Sequence, residues 1–240
     1  LDTELDKEQR EYTETIQKSA DSLLDIINDI LDYSKIEAGK ITLDETVCNL
    51  YNLLDELIDL FRLRAEEKGL QLHFERAPEV PQYVWMDTLK LRQVLINLLN
   101  NAIKFTEVVD VVFRVRAESL PAHDATSPTT RLHFEVEDTG IGISPDKLEE
   151  IFLPFHQVHK IRLTTEGTGL GLPISQNLVR LMGSELHVKS VTGQGTTFWF
   201  DVELPEVEGI VASEALSATR QSHHIIGCKG EKRKILLADD

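Results

Sequence analysis

The stretch "NLLNNAIKFT", residues 97–106, sets three amides and an ammonium into what otherwise reads as an apolar helix. At about 100° per residue, Asn97, Asn101 and Lys104 fall within an arc of about 60°, while Leu91, Leu95, Leu98, Ala102 and Phe105 fill the opposite side. An amide oxygen is a hard, neutral ligand suited to Mg²⁺, and a Lys one turn away is a point charge suited to phosphate. The same spacing also fits a solvated polar face. Asn100 lies off this arc and reads as solvent-facing or as a local hydrogen bonder. In "EDTGIGI" a strand delivers Asp138, followed at once by Gly140 and Gly142. A carboxylate at a strand end can accept from an exocyclic amino group, and glycines let a flat ring approach the backbone. A plain strand ending in a turn is the alternative. In "EGTGLGL", residues 166–172, glycines expose backbone N–H groups just before a helix, which suits a phosphate. It is neither GxGxxG nor a loop ending in GK[ST], so dinucleotide and Walker readings fail.

These groups need elements to hold them. Residues 5–38 lack Pro and Gly, and Ile16, Ala20, Leu23, Ile27 and Ile30 recur with the four-three spacing of a helix-packing seam. Leu24 and Leu31 widen it, and Gly39 suits its C-terminus. A helix of this length needs a partner helix. Leu50, Leu53, Leu54, Leu57, Ile58 and Phe61 predict a second, amphipathic helix closing near Gly69. Strands are predicted at "LQLHFER" and "YVW", and Asp87 is placed to N-cap a helix running to about Phe105. "VVFRVRA" and "RLHFEVE" read as strands around a polar loop at 118–130, Leu170 to Met182 as a helix, and "SELHVKS" and "GTTFWFDVEL" as final strands. Without strict strand-helix alternation, the fold class is α/β: a two-layer α+β sandwich whose mixed, largely antiparallel sheet is covered by helices, after one long helix. Residues 151–167 have weak periodicity and suit a mobile cover from which Lys160 and Arg162 reach phosphate. Solvated loop charges are the alternative there.

Composition narrows the classes. With 25 basic against 41 acidic residues the net charge is −16, which disfavours general binding to a nucleic-acid backbone, so a phosphate site must be local. Cys48 and Cys228 lack CxxC spacing and suggest neither a disulfide framework nor zinc. No apolar run approaches the ~20 residues of a membrane span, so a soluble, cytoplasmic piece is expected, of a parent that could itself be membrane-bound.

Taken together, "RQVLINLLNNAIKFT", "DTGIGI", "IFLPF" and "GTGLGL" resemble the N, first glycine, F and second glycine boxes of the histidine-kinase ATP-binding domain, in the superfamily shared with gyrase, MutL and the Hsp90 chaperone. "LLDIINDILDYSKIEAGK" is similar to the second helix of that family's dimerisation and phosphoacceptor hairpin. "KILLADD" is similar to the first strand of a receiver domain, so the resemblance is to a hybrid sensor histidine kinase. The implied division is a hairpin helix over 1–40, a catalytic domain over 41–205, a linker over 206–233 and a truncated receiver domain over 234–240. The resemblance implies ATP and Mg²⁺ as cofactors, with Asn101 the direct metal ligand, Asn97 beside it and Lys104 on phosphate. It places Asp138 on the adenine amino group and Gly140 and Gly142 around the adenine. Gly167, Thr168, Gly169, Leu170 and Gly171 bound the triphosphate, Phe152 and Phe155 anchor the lid, and Arg162 reaches in from it. Met86 departs from the family by standing where Gly often precedes the Asp, and His156 to Leu163 is an atypical lid.

The resemblance further implies a histidine-bearing hairpin helix of the same or a partner subunit, a receiver domain or response regulator, and a homodimeric parent. An acceptor motif of His, acid, basic residue, Thr or Asn, and Pro is not found. His123 in "HDATSP" lacks the basic residue, and His73, His133 and His187 fall in predicted strands. The chain is therefore expected to bind Mg-ATP without autophosphorylating unaided. Two alternatives stay open: a superfamily ATPase, disfavoured because Asn97 stands where such hydrolases use a Glu to activate water, and a scaffold that uses ATP only to set its conformation.

Overall fold

The computed structural model describes residues 6–107, 110–120, 129–156, 168–205 and 207. Arg162, Gly167, Lys160, His123, the linker and the "KILLADD" strand lie outside these residues. The first element is α1 (Lys7–Glu37), opened by Asp6, whose side chain accepts from the Gln9 N–H while the Gln9 side chain accepts from the Asp6 N–H. Along α1 the seam residues Ile16, Leu23, Leu24, Ile27, Ile30 and Leu31 are all exposed. No helix among the described residues is long and apolar enough to cross a membrane.

β1 (Thr46–Asn49) leads into α2 (Leu50–Glu67), whose six expected core residues are buried together with Ala65. β2 (Gln71–Arg76) and β3 (Tyr83–Met86) precede α3 (Thr88–Phe105), N-capped by Asp87. β4 (Asp110–Leu120), β5 (Thr129–Asp138), α4 (Gly171–Leu181), β6 (His187–Val191) and β7 (Gly195–Pro205) complete the regular elements, with single 3₁₀ turns at Pro145–Lys147 and Glu150–Phe152. Five strands form one sheet in the order β2-β4-β5-β7-β6; only the β2-β4 pair is parallel. The mixed, largely antiparallel sheet covered by helices is thus the expected architecture. β1, which the sequence reading did not anticipate, pairs with β3 in a separate two-stranded ribbon.

Period-two alternation assigns the sheet's faces. In β5, Thr130, Leu132, Phe134, Val136 and Asp138 point to the helical side, and Arg131, His133, Glu135 and Glu137 to the other. Phe134 stacks on Phe200 of β7 across the core, with ring centroids 5.1 Å apart. The outer face carries a cross-strand charge ladder: Arg114 binds Glu75, Glu135 and Glu137, and His133 Nδ1 lies 2.8 Å from Asp201. His73 and His187 also lie on strands, the latter stacked on Trp199.

On α3, Leu91, Leu95, Leu98 and Ala102 are buried as expected, whereas Phe105 is half-buried. Leu95→Ala removes a fully enclosed side chain and should lower unfolding free energy by about 2–5 kcal/mol, read as a lower urea midpoint at unchanged slope.

Candidate nucleotide-binding site

α3 is fastened at both ends. One carboxylate oxygen of Asp87 accepts from the Lys90 N–H at 3.0 Å and the other from the Asp44 N–H at 2.9 Å, which ties the chain entering β1 to the helix start. At the far end the Lys68 ammonium of α2 donates to the carbonyls of Ile103 (2.9 Å) and Lys104 (3.1 Å), satisfying carbonyls the helix leaves open. Asn100, expected to face solvent or bond locally, instead accepts from Arg64 of α2 at 2.8 Å, 36 residues away in the chain. The polar face between these ties carries half-buried Asn97, Asn101 and Lys104, with the Lys104 ammonium 5.3 Å from the Phe105 ring centroid.

The α3 C-terminus meets the turn after β5. The Phe105 carbonyl accepts from the Ile141 N–H at 3.3 Å, and a Cβ on Gly140 would lie 2.4 Å from that oxygen, so only glycine fits. Gly142 adopts φ +66°, where side chains are strained, and its chain runs against the Val191 carbonyl. The turn is clamped from the β6-β7 hairpin: Gly193 donates to the Ile141 carbonyl at 2.7 Å, and Ile143 donates to Ser190 Oγ at 2.7 Å. That hydroxyl donates to the Gly195 carbonyl at 2.9 Å.

Asp138, the last inward residue of β5, is 8% exposed. Its Oδ1 accepts from the Gly140 N–H (2.8 Å) and the Thr196 N–H (3.3 Å). Burial nevertheless pushes its carboxyl up to about 6, with the Glu137 charge adding to it against those two donors. Both backbone bonds fall on one oxygen, which leaves Oδ2 to accept from a ligand's amino group.

The second glycine segment is joined to α3 by Asn97. Its Nδ2 donates to the Gly171 carbonyl and to Ser175 Oγ, both at 3.2 Å, and Ser175 is fully buried in α4. Thr168 Oγ1 accepts from the Leu170 N–H at 3.0 Å and donates to Asp29 of α1 at 2.9 Å. Leu170 is fully buried at the α4 N-terminus, beneath the sequence that was expected to cradle phosphate. Gly169 accepts from the Phe155 N–H at 3.1 Å. Phe152 packs against the core, but Phe155, expected as a lid anchor, is 62% exposed and sits at φ +63°. Its ring meets the edge of Tyr33 of α1, with 6.4 Å between centroids.

The three expected segments thus converge on one end of the sheet. Lys68, Ser175, Ser190 and Thr196 were not identified from sequence; each acts through a partner distant in the chain. Among the described residues no group of three His, Cys, Asp or Glu side chains can hold a metal ion. The neutral amide donors of α3 are of the kind that suits a divalent cation shared with phosphate oxygens.

Comparison with known proteins bears on the same residues. The family described as "Histidine kinase-, DNA gyrase B-, and HSP90-like ATPase" matches residues 86–206, and the "His Kinase A (phospho-acceptor) domain" matches residues 1–39, a stretch that holds no histidine. Sensor protein GacS of Pseudomonas syringae pv. syringae is 42% identical over 205 residues, 85% of this chain and 22% of that protein. The aerobic respiration control sensor protein ArcB of Escherichia coli (strain K12) is 41% identical over 210 residues, 86% of this chain and 26% of that protein. The chain thus spans about a quarter of the length of these relatives. Full-length ShkA, solved in complex with AMPPNP, aligns at a TM-score of 0.69 and 33% identity over 86% of this chain and 41% of that one. The Acinetobacter baumannii histidine kinase AdeS shares the fold at a TM-score of 0.61 and 18% identity over 84% of this chain and 87% of that one. Because one family match takes in the α3 polar face, the Asp138 turn and the α4 N-terminus together, the chain belongs to the histidine kinase-, DNA gyrase B- and HSP90-like ATPase family, as the ATP-binding catalytic domain of a histidine kinase.

Proposed function

We propose that this chain is the catalytic core of a hybrid sensor histidine kinase, which binds Mg-ATP and passes its γ-phosphoryl group to a protein histidine. The observation that carries the reading is Asp138: a buried carboxylate with one oxygen taken by two N–H groups and the other left over a glycine-bounded turn. Adenine supplies a donor for that oxygen and a flat ring for the turn. Asn101 would lend its amide oxygen to Mg²⁺, which when bound neutralises the β- and γ-phosphates. Lys104 places a positive charge on the same face, and Thr168, Gly169, Leu170 and Gly171 offer a hydroxyl and backbone N–H groups to the phosphates.

Asn97 serves as a strut through its Nδ2, which leaves Oδ1 for Mg²⁺ beside Asn101, and it cannot serve as a base. Its Nδ2 is spent on Gly171 and Ser175, and an amide cannot take a proton from water. This favours handing phosphate on over hydrolysis. In the transfer, a ring nitrogen of the acceptor histidine attacks the γ-phosphorus, the bond to the bridging oxygen breaks, and ADP leaves with the electron pair. The acceptor belongs to a hairpin helix packed on the α1 seam, in the same or a partner subunit of a homodimer, and a receiver domain takes the phosphoryl group next. The division into hairpin helix (1–40), catalytic domain (41–205), linker (206–233) and receiver start (234–240), on the cytoplasmic side, belongs to this reading.

A hairpin carrying an acceptor histidine, mixed with this chain and labelled ATP, should gain acid-labile, alkali-stable phosphate, while the chain alone gains none. Tight ATP binding without transfer would leave the scaffold reading; a steady ATPase rate abolished by changing Asn97 would leave the hydrolase. Asp138→Asn should weaken ATP binding at least tenfold by calorimetry. Wild-type affinity should itself fall as pH drops through about 6, as Oδ2 becomes protonated. The stability effect has the opposite sign. A carboxyl whose folded pKa is raised contributes stability below its ordinary range and loses it as pH rises through about 6. Asp138→Asn should therefore stabilise the ligand-free protein near pH 7.5, by up to about 3 kcal/mol, and much less near pH 4.

A further inference from the structure

α1 has two faces. The exposed apolar seam of Ile16, Leu23, Ile27 and Ile30 lies roughly 150° around the helix from half-buried Asp29, Asp32, Tyr33 and Ile36. This second stripe, spaced three, one and three, docks on the catalytic domain. Tyr33 and Ile36 pack against its core, and Asp32 accepts from Gln93 of α3 at 3.0 Å. Asp29 accepts from Thr168 Oγ1 at 2.9 Å, and that oxygen accepts in turn from the Leu170 N–H at 3.0 Å. The hydroxyl's single proton is thus committed to a carboxylate, beside the N-terminus of α4, where a phosphate would be received.

We propose that Asp29 stands in for the nucleotide's phosphates in this structure, so that ATP binding and the docking of α1 oppose each other. The inference rests on the nucleotide-site reading above. A phosphate oxygen can take the Thr168 proton only when Asp29 gives it up, and the carboxylate repels the incoming polyanion. The antagonism is reciprocal: docking weakens ATP binding by the factor by which ATP weakens docking. It acts at the phosphate end, since Asp29 bonds Thr168, whereas the pocket that would hold the base is built on Asp138, Gly140 and Thr196.

Asp29→Asn in the full chain keeps an acceptor for Thr168 and removes the charge. Equilibrium binding should show about three- to tenfold tighter Mg-ATP and unchanged adenosine, the scale of one like charge at a half-exposed site. Saturating Mg-ATP should also speed amide hydrogen exchange over residues 29–36 of the wild type. Equal ATP affinity in the variant, an equal gain for adenosine, or exchange that ATP leaves unchanged or slows would each overturn the antagonism. Wild type that binds adenosine and ATP with no effect of the variant removes this inference and leaves the site reading intact. Wild type that binds neither removes both.

Discussion

The catalytic domain is organised around a carboxylate that folding alone would rather neutralise. Asp138 reaches the helical side because β5 alternates, and the inward phase that packs Leu132, Phe134 and Val136 delivers the acid at the strand's end. Two backbone donors hold one of its oxygens, yet burial still raises its pKa. A buried charge with spare acceptor capacity is a standing cost to the ligand-free fold, and a ligand donor relieves it. The surrounding contacts follow from this. Gly140 leaves room for the Phe105 carbonyl, and Ser190 and Gly193 fix the turn from the opposite hairpin, so the acid and the α3 terminus keep one geometry.

The second constraint is that two helices must be held in register for the phosphate end of the site to exist. Asn97 supplies it by bonding the carbonyl of Gly171 and the hydroxyl of Ser175 at once. A side chain in the midst of polar groups that could ligate a metal is thereby turned into a brace. What distinguishes Asn97 from Asn101, four positions on, is the approach of α4 to the first of them.

Much of this was legible in the sequence because it is local or periodic. The helical period placed Leu91, Leu95, Leu98 and Ala102 in the core, Asp87 announced the start of α3, and strand alternation put Asp138 at a strand end. What could not be read is made of contacts between distant segments. Ser175 looks like any small residue in an apolar helix until Asn97, 78 positions away, is set against it. Lys68 reads as a surface charge after α2, and only the arrival of α3 makes it a cap. β1 is four residues without a strong alternation, and it exists as a strand because β3 pairs with it. Phe155 is a lid anchor only by resemblance to the family's motif, and nothing in its neighbours along the chain announces the left-handed backbone that sets its ring against Tyr33.

The long helix shows why the character of an interface decides what it can do. Its seam is aliphatic, and such a face, once paired, is held by area removed from water and is costly to open. Its other face meets the catalytic domain through the hydrogen bonds of Asp29 and Asp32, which are individually weak, together with Tyr33 and Ile36 packed against the core. An exchange between docked and released α1 would turn on the polar bonds of this face, Asp29 with Thr168 and Asp32 with Gln93, and leave the aliphatic seam on the other side unchanged.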